Sequence, residues 1–458
     1  MDFFCCIALW LFSFLLYELN KEYWRMCKRA CLRVSSNCFY VDLVFQVFRM
    51  RIALFYILPS ITRFFFYWEN DYIEHVDPCE IVVVYLFELI SHFIYYLTFY
   101  TLLKRNSHNL SLVYDNNIVL NIIAVLCLVI YCFFSITGYI SSIRPDDPSS
   151  DSLWMIKPLM TAVGGVACFY LVVLGSKYWG KTVVIIAFFS SLLCLLLGFT
   201  SGIRGKVFWP ILWMFFCVWY FKKDQIKKFS IAGIGLLIVL VFFQGGMVTF
   251  RADGLKDISS ALQGINASKD NAKRSLLKEV DYRFGSLTRY SVGFFRMVDR
   301  EYTAGLTPIL NSAYSPIPRR FMPDKPVPCS VDGDIYGMGM YKATGEITGN
   351  PYMMCEFSTA AHAYWELNIF GVILFSIIPA IYVFLSIRFF RKFDLLGPCF
   401  FMAVFKPWGY NDPKIWVSEI VLQLFQVIFV SWLLICIYER AKKWFVRKRR
   451  VVKRKYSV

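Results

Sequence analysis

His362 and Glu366 stand four residues apart, a spacing that puts both on one face of a helix. They close a polar stretch, about 250–362, that carries arginines at 251, 274, 283, 289, 296, 300, 319 and 320. Long apolar runs flank it on both sides. Histidine accepts a proton near neutral pH, which general-base catalysis requires. Arginine offers a planar, permanently charged fork that matches phosphate oxygens in pairs. Several forks, one base and no cluster of metal-ligating residues fit displacement of a diphosphate leaving group by a hydroxyl. Glu279, Asp281 and Glu366 remain rivals to His362 as the base.

The arginines fall into three settings. Residues 270–304 read as a helix that Gly305 and Pro308 stop, with Arg289, Arg296 and Arg300 on one face and Arg283 beside Tyr282 and Gly285 on the next. The ordinary alternative is a solvated helix, since Glu279, Asp281, Asp299 and Glu301 are interleaved. The run from Pro316 to Pro326 is too proline-rich for a helix or a central strand and presents Arg319, Arg320 and Lys325 from a stiff extended segment. Far upstream, Arg204 lies between Gly202 and Gly205 in a short hairpin, where glycine lets backbone approach a ligand closely. Its alternative is a snorkelling surface residue. Tyr282 and other tyrosines of the loop are the right shape to stack on sugar rings.

The frame that must position these residues is a membrane one. Of 458 residues, 58% are hydrophobic, which excludes an ordinary soluble domain. The formal charge of +17 sits largely in short segments between apolar runs and in a basic tail, where membrane topology uses Lys and Arg, so nucleic acid is not the expected partner. Most of the 15 cysteines lie in apolar runs and read as small hydrophobes. Only Cys329 and Cys355 share the large loop, where they either pair or stay as two thiols. Gly175 to Thr182 matches the phosphate-loop pattern, but as a turn between two apolar runs it lacks the strand and soluble helix that chemistry needs. Asp332 and Asp334 resemble a metal-binding acid pair too short to assign, and no metal or cofactor is expected.

Charge runs order the spans. Residues 3–17 form a first apolar segment whose basic flank from Lys21 to Arg33 belongs inside, placing the N-terminus outside. Residues 38–48 read as an interfacial stretch cut off by Arg49 and Arg51, and a second span covers 52–68. The acidic loop from Glu69 to Glu80 is external, and a third span runs over about 81–103 to the internal pair Lys104 and Arg105. The pattern continues to about eleven transmembrane helices, with ten to twelve allowed. Helices 1–8 occupy residues 1–249, the large external loop 250–362, helices 9–11 residues 363–438 (the ninth over about 364–387), and a basic internal tail 439–458.

From residue 198 to 371 the order and local pattern resemble the O-antigen polymerase (Wzy) family and, more distantly, the O-antigen ligases. The resemblance rests on the hairpin around Arg204, the run from Arg283 to Leu287, the run from Ile317 to Pro326, and His362 followed by Glu366 and the stretch Asn368 to Gly371. Ala363 departs from the polar residue usual after that histidine in the ligases. The resemblance implies an all-α polytopic membrane protein of the membrane glycosyltransferase (GT-C) kind in the bacterial inner membrane. Such an enzyme would join undecaprenyl-diphosphate-linked repeat units on the periplasmic face, without metal, alongside a chain-length regulator protein. Arg204, Arg283, Arg289 and His362 would be catalytic. Arg319, Arg320, Lys325, Arg296, Tyr282 and Glu366 would bind substrate. The alternatives are a ligase moving polymer onto lipid A-core, a glycosyltransferase using a prenyl monophosphate donor, and a flippase or transporter.

Overall fold

The computed structural model describes residues 2–33, 38–65, 76–105, 285–299, 321–323, 343–347 and 358–391, with single residues 401, 436, 440 and 443. Within these the elements are all helical: α1 (Asp2–Leu32), α2 (Phe39–Ile52), a π-helical turn (Ala53–Ile57), α3 (Leu58–Phe65), α4 (Pro78–Arg105), α5 (Ser286–Asp299) and α6 (Thr359–Phe390). One further helical turn covers 343–347. Spans expected between residue 106 and the large loop, the tenth and eleventh spans and the basic tail's role lie outside the described residues.

Among the described residues, three helices are long and apolar enough to cross a membrane: Phe3–Leu32, Pro78–Arg105 and Thr359–Phe390. In hydrocarbon the backbone must satisfy its own hydrogen bonds, which is why such runs become helices. Twenty-eight residues, as in α4, rise about 42 Å, more than the roughly 30 Å of a hydrocarbon core. The outward faces of these helices are apolar, with Phe14, Leu15, Phe93, Leu97, Leu374 and Leu385 exposed, whereas Arg63, Glu88, His92, His362 and Glu366 are buried. That inversion of the water-soluble pattern suits a protein solvated by lipid.

α1 and α4 run parallel, with the α2–α3 run antiparallel against both. Ser60 Oγ reaches the Leu9 carbonyl at 3.4 Å near one end, and Asn20 donates to the Phe45 carbonyl at 3.3 Å and to the Tyr96 hydroxyl at 2.8 Å toward the other. Phe45, Phe48, Tyr95, Tyr96 and Phe99 pack ring against ring between them. α4 packs equally on α6, and α5 lies across α4 and α6.

The structure corrects three expectations. α1 continues well past residue 17, because Lys21 and Arg25 are neutralised one turn away by Glu18 and Glu22 on the helix surface. The expected interfacial stretch and second span form one helical run from Phe39 to Phe65 that passes through Arg49 and Arg51. Arg49 is accommodated there by the Asn20 side chain at 3.4 Å and by the faces of Tyr17 and Trp24. The cysteines also do more than fill space: Cys5 and Cys79 form a disulfide between the first turns of α1 and α4. Cys329 and Cys355 lie outside the described residues.

Candidate functional site

α5 carries Arg289 and Arg296 and is buried on all sides from Leu287 to Phe294, with Leu287, Tyr290, Val292, Phe294 and Met297 in the core. Its start is held by a residue from the membrane frame. Arg63 of α3, 1% exposed, donates to the Gly285 carbonyl at 3.0 Å and to the Thr288 hydroxyl at 3.2 Å. Midway, Gly293 touches the 343–347 turn so closely that a Cβ there would lie 2.0 Å from the Ala343 carbonyl oxygen. At its far end Arg296 spreads both fork nitrogens onto Glu80 of α4, at 2.8 and 2.7 Å. Hydrogen bonding to Glu80 pushes the Arg296 guanidinium above its usual value, so its charge is locked in.

Glu80 belongs to a compact cap. Its carboxylate receives the Asp77 amide at 3.0 Å while Asp77 receives the Cys79 amide at 2.8 Å. Three ties therefore meet in one turn of chain: the helix cap of α4, the disulfide to α1 and the ion pair to α5.

α6 begins at Ser358, whose side chain caps the helix by accepting from the Ala361 amide at 3.1 Å. The Ser358 amide donates to Ser291 Oγ of α5 at 2.7 Å, which fixes the two elements in register. His362 follows one turn later, 1% exposed, with Nδ1 3.5 Å from Glu366 Oε1. Phe294 of α5 meets the imidazole edge-on at 4.9 Å between centroids, and Trp365 closes the other side at 5.4 Å. The spacing of His362 and Glu366 thus gives the expected shared face. Both side chains are enclosed by protein, whereas His362 was expected at the external interface.

α6 is broken directly after this turn. Leu367 and Asn368 leave helical geometry, and Asn368 has φ 53°, a region that disfavours side chains. Ala363 and Gly371, eight residues apart, would be about 12 Å apart in a straight helix. Instead a Cβ on Gly371 would meet the Ala363 carbonyl oxygen at 2.0 Å, and Ala360, Ala363, Val372 and Phe375 share one packed cluster. The short helix bearing His362 therefore folds back beside the longer one. The ninth span, expected as one helix over 364–387, is this broken pair.

A second group of ionisable side chains underlies the first. Glu88 of α4 lies about 15 Å along the helix from Pro78, near the middle of a bilayer's thickness if Pro78 is at its edge. Its carboxylate is 3.3 Å from His92 Nδ1, whose shorter contact is the Glu88 backbone carbonyl at 2.8 Å, and receives the Ala360 amide at 3.4 Å. Arg51 and Tyr56 are buried on the neighbouring helical run, Tyr56 within its π-helical turn. Arg51, Arg63, Glu88 and His92 were not singled out from sequence. The one signal there was that a charge inside a span is costly and rarely idle.

Of the residues expected to be functional, Arg289, Arg296, His362 and Glu366 are described: α5 packs on the turn of α6 that bears His362 and Glu366, Arg289 is 6% exposed, and Arg296 at the far end of α5 is engaged with Glu80 of α4. Arg204, Arg283, Tyr282, Arg319, Arg320 and Lys325 lie outside the described residues. No family model, no curated protein and no solved structure matches this chain.

Proposed function

We propose that this protein is an O-antigen polymerase, a membrane glycosyltransferase that joins lipid-linked oligosaccharide repeat units. A hydroxyl of the incoming unit attacks the anomeric carbon of the growing chain. The bond from that carbon to the undecaprenyl diphosphate breaks, the glycosidic bond forms, and His362 takes the hydroxyl proton. Arg204, Arg283 and Arg289 hold the departing diphosphate, Glu366 orients His362, and Arg319, Arg320 and Lys325 guide the sugars with Tyr282. Arg296 serves substrate binding through the placement of α5. About eleven spans in a GT-C-like arrangement complete the architecture, and a chain-length regulator in the same membrane is the expected partner.

The observation that carries this reading is the meeting of α5 and α6, which sets a buried acid–histidine pair against the arginine-bearing helix of the large loop. Out of water, a fork on phosphate counts for far more than at a surface. The acceptor must part the wall made by Phe294 and Trp365 to reach His362. The Cys5–Cys79 disulfide supports placing the N-terminus and the start of α4 on the periplasmic side, where such bonds persist.

Deleting the gene and resolving the cell's lipopolysaccharide on a gel tests the reading. Core carrying a single repeat unit, with the ladder gone, is the expected result. Bare core with lipid-linked polymer in the envelope would make the chain a ligase. Bare core with repeat units stranded on the cytoplasmic face would make it a transporter.

A further inference from the structure

The start of the helix that carries His362 is held from outside that helix. Ser358, Thr359 and Ala360 occupy its first turn, where amide hydrogens have no partner within the helix. Glu88, from the neighbouring membrane helix, brings a buried carboxylate to that turn, 1% exposed and 3.4 Å from the Ala360 amide. At that length the hydrogen bond is weak, and the attraction is chiefly that of a negative charge for the positive end of a helix. Burying a carboxylate is costly unless its surroundings answer it. His92 Nδ1 stands 3.3 Å to one side, with its shorter contact, 2.8 Å, to the Glu88 backbone carbonyl, and the helix start answers the charge from above.

We propose that Glu88 is a positioning residue for His362: its charge pins the first turn of α6 so that the imidazole, one turn on, stays against Phe294 and Glu366. Such a pin adds to the packing of the short helix against Phe294 and the longer helix. The short helix is cut from the rest of α6 at Leu367 and Asn368, so regular backbone does not hold it at its far end. Other ties at the start include the Ser358 cap and the Ser358–Ser291 bond. The catalytic part of the proposal rests on His362 being the base. The structural part does not.

The test uses the full-length protein in lipid nanodiscs, reading amide exchange over 358–366 and polymer formation by the same samples. Glu88→Gln keeps the shape and removes the charge. It is expected to speed exchange over 358–366, leave α1 exchange unchanged as the folding control, and lower kcat on the order of 10²-fold with KM nearly constant. Because Glu88→Gln also alters the contact with His92, a second variant separates the roles. Ser358→Asp puts a carboxylate at the same helix start from within the helix. Alone it crowds two carboxylates and is expected to harm both readouts. Combined with Glu88→Gln it is expected to restore both, a reversal of sign that loss of the His92 contact alone cannot produce. Unchanged exchange and turnover in Glu88→Gln, or no recovery in the double variant, would overturn the proposal. If exchange behaves as expected but His362→Ala polymerises normally, the pin stands and the catalytic reading falls.

Discussion

The carboxylate of Glu80 on α4 and the guanidinium of Arg296 on α5 meet at two points, 2.8 and 2.7 Å apart, although 216 residues separate them in the chain. The pair ties the large polar loop to the membrane frame at the same turn where Cys79 ties that frame to α1. The side chains are 26% and 33% exposed, so solvent screens part of the attraction.

Replacing Arg296 by Ala should therefore cost about 1 kcal/mol of local stability, a bidentate pair standing at the upper end for partly exposed ones. Faster amide exchange in 286–299 measures it. The exchanged pair, Glu80→Arg with Arg296→Glu, should recover part of the loss.

Cys5 and Cys79 should resist maleimide labelling until a reductant is added, then both react. The loop they close spans 74 residues, for which the chain-entropy account gives about 4 kcal/mol as an upper value, since a membrane already confines the unfolded chain. Cys79→Ser should lower Tm accordingly, and labelling without reductant would remove the bond from the account.

Arg289→Ala should lower turnover on the order of 10²–10³-fold, as loss of one preorganised charge donor does. Arg289→Lys should recover only part of that, because the fork is lost. Equal turnover in both variants and the parent would take Arg289 out of the mechanism.

Asn368 carries a backbone conformation that suits glycine, so Asn368→Gly should be tolerated or stabilise slightly, and Asn368→Val should destabilise by about 1–3 kcal/mol. Gly371→Ala should be worse than either, since its Cβ would collide with a backbone carbonyl that cannot swing aside. Thermal melts of the purified variants order the three.

Hydropathy with charge located α4 well, 81–103 against Pro78–Arg105, because its apolar run ends in an unmistakable basic pair. The same rule failed at α1 and α2. Charge was read as a stop, whereas Glu18 and Glu22 cancel Lys21 and Arg25 locally, and Asn20, Tyr17 and Trp24 receive Arg49 from another helix. The disulfide is within reach of sequence reasoning: charge places Cys5 and Cys79 at the outer ends of their spans, whereas pairing is considered in the sequence only for Cys329 and Cys355. For the site, the i, i+4 spacing of His362 and Glu366 was legible and their burial was not. Nothing local shows that Phe294, 68 residues earlier, closes over His362. Arg63 and Glu88 were invisible for the same reason, since the groups they hold, Gly285 and Ala360, lie more than 200 residues away.

The most direct measurement is complementation of the deletion strain with His362→Ala, at a protein level matched to the parent. General-base loss should cost about 10²–10⁴-fold. The account therefore expects core bearing a single repeat unit and no ladder, with the variant still inserted and disulfide-bonded. A full ladder of normal length from His362→Ala would contradict it.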